Sequence, residues 1–466
     1  MNRFVVREHA SSILVAALSS TFGVVLLLAT GDLAALISKS QAGQHAAVQT
    51  ALSVVAWVFL SIALYTSAVV TSNTFATIIA GRTKTIALLR LLGASARSQR
   101  AAVAREGLAV GTIGGLIGLA LGVGLNAAFL GIAVSTNFIP NLTFSYFDLS
   151  TVLPVVAVIL TTWLASWTGS RRVLVVSPMQ AIGAAEDRSS AEVSRRPARN
   201  ALAVCVFVFG TLIMLGGVAI ALSPSALGIL VAVFGGMISF TGVVLASQLI
   251  MPPTLRLVGR ALGKSAPARL AAQNAVRYPE RSARTTIGIV IGVTLVTMFA
   301  VALQTYSVFI DRAREVDPQT FEGAQQILTI VTVIFSFISG FSALIAAVGM
   351  VNNLSLSVVQ RIRELGLLRA LGFTGRQVRR MIVAESGQLT IAAVLVGLLL
   401  GTLYGWAGAE SLVGANRDSG GIIWPAFPPL LIVAIVLAAA VLIWAASVAP
   451  SRRATRVTPV DALAVE

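Results

Sequence analysis

"ELGLLRALGFTGRQVRR", residues 364–380, is a leucine-rich, arginine-studded stretch set between two long apolar runs. Glu364 can open a short helix on which Leu365, Leu368 and Leu371 share one stripe at three-residue spacing, with Arg369 off that stripe. Gly372 suits the left-handed residue that closes a helix, because it has no Cβ to resist that conformation. Thr374 followed by Gln377 is the sequence form of a capping box, which starts the next helix. Arg361 and Arg363 lead in. The stretch therefore predicts a long helix coming down, a short transverse helix, a tight turn at Leu371–Gly372, and a helix returning into the apolar phase.

Much the same text occurs earlier. Residues 88–106, "LLRLLGASARSQRAAVARE", align with residues 367–385, "LLRALGFTGRQVRRMIVAE", at an offset of 279. Leu88, Arg90, Gly93, Arg97, Arg100 and Glu106 fall on Leu367, Arg369, Gly372, Arg376, Arg379 and Glu385. The same offset carries Asn73 onto Asn352, Arg82 onto Arg361, Gly118 onto Gly397 and Gly122 onto Gly401. Farther on, Trp163, Arg171, Arg172 and Pro178 match Trp444, Arg452, Arg453 and Pro459 at an offset of 281, so two residues are absorbed between, most easily in an outer loop. Chance does not align charges, glycines and prolines over such a distance, and internal repetition of this kind sets the architecture. The chain divides into a first four-helix unit (1–185), a central insert (186–265) and a second four-helix unit (266–466).

Composition names the phase in which this happens. Of 466 residues 56% are hydrophobic and 11% charged, with mean hydropathy +0.89, whereas a soluble domain carries about 25% charged residues. The fold class is an all-α polytopic membrane protein. The net charge of +16 does not imply nucleic acid: arginines cluster just beyond the ends of apolar segments, as cytoplasmic loops require. Cys205 is the single cysteine, so neither a disulfide framework nor a cysteine-based metal site is available. His9 and His45 have no neighbouring carboxylate and imidazole cluster. The first apolar run, lacking a small-residue cleavage site, reads as a retained helix and not a signal peptide.

A membrane-crossing helix needs about 20 apolar residues. The candidates are 12–31, 50–79, 107–131, 150–168, 201–222, 227–250, 286–309, 326–353, 387–408 and 427–448: ten spans, arranged 4 + 2 + 4. An even number puts both termini on one side. With that side cytoplasmic, the outer loops hold only Lys39, Arg312, Arg314 and Arg417 of the 34 basic residues. The second and eighth spans run to about 42–45 Å against a hydrocarbon core of about 30 Å, so they project towards the transverse helices as stalks. The outer loops are too short for a folded domain.

A single amphipathic helix at that level could simply lie on anionic headgroups. Two copies, each at the foot of an overlong helix and each with a fixed Leu-Gly turn, favour a docking element. The run N…R.RELGLLRALG…E…G…G within residues 351–402, and the closing Pro459-to-Leu463 segment, resemble the FtsX-like permease domain of ABC transporters, the mechanotransmission or type VII class. The duplicated ten-span plan is similar to the BceB-like branch. The resemblance implies that Arg361, Arg363, Glu364, Leu365, Leu368, Arg369, Leu371 and Gly372, with Thr85, Leu88, Arg90 and Gly93 in the first copy, form coupling helices. These would sit in clefts of separate cytoplasmic ABC ATPase subunits, two per chain, which carry the ATP and Mg; this chain would hold no cofactor. It further implies a bacterial plasma-membrane location. Two departures stand out: Thr85 occupies the place of Glu364, and no large extracytoplasmic domain follows the first helix of either unit.

Other motifs carry less. "GRALGKS", residues 259–265, mimics a phosphate loop, but the pattern needs glycine at 258, which is Val258, and no strand precedes it. "NLT" at 141–143 is a glycosylation acceptor by pattern only. Gly114, Gly118, Gly122, Gly397 and Gly401 read as close-packing positions, Asn73 and Asn352 as local hydrogen-bonding groups, and Glu106 and Glu385 as structural ion-pair partners. An ion-gradient-driven secondary transporter would need ionisable groups or broken helices at the membrane midplane, and the spans carry no charge near their centres. A non-transporting signalling scaffold in cell-envelope control would share the coupling device. Short outer loops and apolar helices suggest an amphiphilic cargo drawn from the lipid phase.

Overall fold

The computed structural model describes residues 10–38, 95–137, 139, 149–170, 197–222, 227–261, 263, 265–277, 279–316, 362–413 and 423–456, with scattered positions in 54–73 and 329–340. Within them every element is helical: α1 (Ala10–Ser38), α2 (Ala96–Ser135), α3 (Val152–Gly169), α4 (Pro197–Ile220), α5 (Leu227–Ala261), α6 (Ala266–Arg277), α7 (Pro279–Val316), α8 (Ile362–Ala370), α9 (Gly375–Val413) and α10 (Pro429–Arg456). A 3-10 turn, Leu149–Thr151, leads into α3. Among the described residues seven helices (α1 to α5, α7 and α9) are long and apolar enough to cross a membrane, and the apolar part of α10, Pro429–Trp444, is shorter. The expected second and eighth spans, 50–79 and 326–353, lie largely outside the described residues.

Several helices outrun their expected spans. α2, α7 and α9 have 40, 38 and 39 residues, or roughly 57–60 Å at 1.5 Å per residue. The surplus in α2 and α9 is the arginine-rich lead-in, 96–106 and 375–386, which contains no proline and no glycine beyond its first residue. Hydropathy stops there; helix propagation does not.

The repeat is visible in the packing. In the first unit α1 and α2 run parallel, with Gly118 and Gly122 facing Ser20 and Val24. A Cβ on either glycine would come within 2.4 Å and 2.7 Å of those side chains. In the second unit α7 and α9 also run parallel, and Gly397 and Gly401 meet Val293 and Thr297 at 2.7 Å and 2.5 Å in the same sense. The glycines thus serve packing, and Ser20 Oγ uses the proximity to donate to Gly115 O at 3.0 Å.

The insert is an antiparallel hairpin of α4 and α5. Gly210 and Gly217 on one helix, and Gly228, Gly235 and Gly242 on the other, bring backbone against backbone; a Cβ on Gly210 would lie 2.1 Å from Ser239 N. One core joins hairpin and units, with Phe22 and Leu26 of α1, Met214 of α4, Phe240 and Leu255 of α5, Ile289 of α7 and Leu389 of α9 buried together. Polar groups cross the same junction. Ser239 Oγ lies 2.9 Å from Thr211 Oγ1 and 3.0 Å from Tyr404 Oη, while Tyr65 Oη lies 2.8 Å from Thr241 Oγ1. The Phe240 ring stands edge-on to both Tyr65 and Tyr404.

Buried acids sit near helix ends, not at midplane. Asp32, late in α1, accepts from Asn126 Nδ2 at 2.8 Å. Glu410, late in α9, accepts from the backbone N–H of Ile423. Trp406 Nε1 donates to Ile423 O at 2.8 Å and Ala426 N–H to Thr305 Oγ1 at 3.1 Å, which pins the segment before α10 to both α7 and α9.

Candidate functional site

α8 is a nine-residue helix, and its end follows from its sequence. Phe373 N–H donates to Leu368 O at 3.0 Å and Gly372 N–H to Arg369 O at 3.1 Å, with Gly372 at φ +97°. This is the paired-bond closure that satisfies the last free carbonyls of a helix and that only glycine adopts without strain. Its flanking apolar residues share one cluster: Leu368 and Phe373 both pack against the group formed by Ala271 of α6 and Val378, Met381 and Ile382 of α9. Two residues later the capping box closes. Thr374 N–H donates to Gln377 Oε1 at 2.8 Å and Gln377 N–H to Thr374 Oγ1 at 3.3 Å.

The leucine stripe needs correction. Leu371 does not share a face with Leu368; it lies past the last helical residue, in the turn, and is 73% exposed. Leu368 turns inward, while Leu367 joins Leu371 outside. Three-residue arithmetic fails where the helix has already ended. The outcome is a pinned platform with an apolar tip, Leu367 and Leu371, bordered by exposed Arg376, Arg379 and Arg380. Arg369 is half-buried. Arg363, Glu364 and Leu365 belong to α8 by backbone, but their side chains, together with all of Arg361, Thr85, Leu88, Arg90, Gly93 and Asn352, lie outside the described residues. In the first copy, Ser95 starts α2 by accepting from Ser98 N–H at 3.1 Å, in the place where Thr374 starts α9. Glu106, Glu385 and Asn73 are half-buried.

The FtsX-like permease C-terminal family matches residues 57–178 and again 336–459, together more than half of the chain. The chain belongs to the FtsX-like permease family. Among its relatives are the uncharacterized ABC transporter permease YknZ of Bacillus subtilis, 30% identical over 31% of this chain and 34% of that protein. The ABC transporter permease YtrF of the same organism is 25% identical over 30% and 34%. The macrolide export ATP-binding/permease protein MacB of Rhodopirellula baltica is 33% identical over 28% and 18%. This FtsX-like permease therefore spans about a third of the length of the two Bacillus proteins and less of the third.

Two parts of the platform escaped the sequence reading. α6 packs beneath α8 and α9 with Ala268, Ala271 and Ala275 buried, a spacing of three and four that marks a helix face. The "GRALGKS" stretch supplies its start: Gly259 to Ala261 finish α5, Gly263 takes φ +95°, and Ser265 Oγ caps α6 by accepting from Ala268 N–H at 3.4 Å. Gln388, fully buried in α9, donates from Nε2 to Leu255 O at 2.8 Å and ties the permease platform to the insert. A lone amide inside an apolar run was the available signal. Ser282 Oγ, bonded to Ala275 O at 2.6 Å, and the Arg284–Glu280 pair at 2.7 Å fix the joint between α6 and α7.

Proposed function

We propose that this protein is the membrane subunit of an ATP-driven ABC complex, exporting an amphiphilic substrate or transmitting force across the bilayer. Separate cytoplasmic ATPase subunits, two per chain, supply ATP and Mg. One observation carries the reading: α8 is held from beneath by Leu368 and Phe373, yet it presents Leu371, 73% exposed, in a glycine-closed turn. Exposed Leu367 and Leu371, four residues apart, offer the apolar surface that a docked partner would cover. The names of the relatives, ABC transporter permeases and ATP-binding/permease proteins, support the same partner class.

The arrangement of ten spans as 4 + 2 + 4, with both termini in the cytoplasm of a bacterial cell, has a topological support. α1 and α2 are parallel, and so are α7 and α9. A chain that crosses a bilayer twice in the same direction must return between, which asks one further span of each unit. Residues 1–185, 186–265 and 266–466 are then first unit, insert and second unit. Thr85, Leu88, Arg90 and Gly93 form the first coupling element, and Arg361 through Gly372 the second.

The test is recruitment. Leu371→Asp, made in full-length protein in nanodiscs, should lower affinity for the cognate ATPase without altering expression or thermal midpoint. Burying a leucine is worth about 1.5–3 kcal/mol, so the loss should be roughly tenfold or more. Undiminished binding by Leu371→Asp would remove the docking role.

A further inference from the structure

Arg100 lies near the start of α2, seven residues before the apolar span, or about 10 Å at 1.5 Å per residue. That distance places it at the headgroup level. Its guanidinium carbon stands 4.2 Å from the centroid of the Trp167 ring, and Trp167 stacks on Trp163 at 6.4 Å and 14°. Both tryptophans belong to the end of α3, which α2 meets through Gly107 and Gly111. A tryptophan pair at this depth is ordinary aromatic-belt chemistry.

The arginine is not. The ring occupies the face of the guanidinium and leaves its edge. On that edge Nε and Nη2 are shut off from solvent and have no acceptor among the described residues. Buried charged donors without partners are costly, and such groups call for an ion or ligand. The Nε–Nη2 edge is the fork that matches two oxygens of a carboxylate or phosphate at once. Exposed Arg97 and Arg105 add positive charge nearby, and exposed Leu108, Trp163 and Leu164 continue from the site towards the apolar span. An anion with an attached hydrocarbon fits both halves.

We propose that Arg100, laid on Trp167, binds the phosphate of an anionic phospholipid in the leaflet at the N-terminal end of α2. A phosphate on the Nε–Nη2 edge of half-buried Arg100 leaves the Trp167 face contact in place, while the acyl chains run along Leu108 and Leu164. The second unit offers an internal control. Arg379 corresponds to Arg100 and Trp444 to Trp163, but Val448 stands where Trp167 would be, and Arg379 is exposed. The site belongs to one unit.

The full-length protein in nonionic detergent is titrated by native mass spectrometry with phosphatidylglycerol, phosphatidylcholine and a phosphate-free diacyl glycolipid, and inorganic phosphate is added as competitor. The wild type should take one phosphatidylglycerol more tightly than the other lipids. Arg100→Gln should weaken that step by about tenfold, and Arg379→Gln should leave it unchanged. Arg100→Lys keeps the charge without the fork and should lose at least about threefold, which preserves the test should the glutamine variant fail to fold. Phosphatidylglycerol affinity within twofold of wild type in both Arg100 variants overturns the proposal. So does equal binding of the glycolipid. Displacement of the lipid by inorganic phosphate at equal concentration would mark a free-anion site and overturns it as well.

Discussion

Replacing Gly372 with alanine separates backbone conformation from packing, because a Cβ at that position would meet nothing within 4 Å. The whole cost lies in φ +97°, where an L-residue is strained by about 1–2 kcal/mol. Against a turn held by two backbone bonds and by Leu368 and Phe373 on a shared cluster, that strain should lower the closed-to-open ratio of the turn by roughly 5–30-fold. If the ATPase reads Leu371 in this geometry, its affinity should fall by up to the same factor, in proportion to the closed fraction that is lost. Asparagine tolerates the left-handed region better than alanine, and valine worse, so docking should fall in the order glycine, asparagine, alanine, valine. The assay is titration of ATPase onto nanodisc-embedded variants, with hydrogen exchange over residues 368–380 reporting the turn itself. Alanine binding as tightly as glycine while exchange shows an opened turn would refute the claim that the turn is what the partner reads.

Glu364→Thr should weaken ATPase recruitment more than any substitution at Thr85, and Thr85→Glu should be tolerated or tighten it. A carboxylate in the first turn of a helix is favoured by about 0.3–1 kcal/mol, and pull-downs at two salt concentrations should show the difference shrinking with salt. Gly118→Ala and Gly397→Ala, whose new Cβ atoms would fall within 2.4–2.7 Å of Ser20, Ala17 or Val293, should each cost about 1–3 kcal/mol and depress the thermal midpoint in a common detergent. Gly124→Ala, facing open space in the same helix as Gly118, should be neutral or stabilise by up to about 1 kcal/mol; an equal fall in all three would show that helix approach is not what the glycines serve.

The features legible in sequence are those set locally or by repetition. The stop at Gly372 and the start at Thr374 each depend on residues within a few positions, so composition alone placed them. The offset of 279 carried Gly118 onto Gly397 before any packing was known, and both turned out to face the same kind of neighbour. Helix lengths were underestimated because hydropathy measures the bilayer and not the helix: the arginine-rich lead-ins of α2 and α9 are soluble turns of the same rods. Leu371 was misassigned because periodicity has no term for where a helix ends. The Ser239–Tyr404 bond joins residues 165 apart, and α6 finds its place only under α8 and α9. Nothing short of tertiary structure brings such groups together.

The glycines of α4 and α5 recur at seven-residue intervals and admit backbone where a side chain would normally stand. Sliding one helix past the other by one turn, about 5.4 Å, would bring Phe207 or Met214, the next residues on the facing stripe, into a slot that admits only glycine. The hairpin is therefore keyed against axial slip. Ser239, which faces Gly210 in one of those slots, also holds Tyr404. Tyr404 of α9 is thereby tied to α5 at a glycine slot, and Tyr65 on Thr241 ties the same helix two residues on.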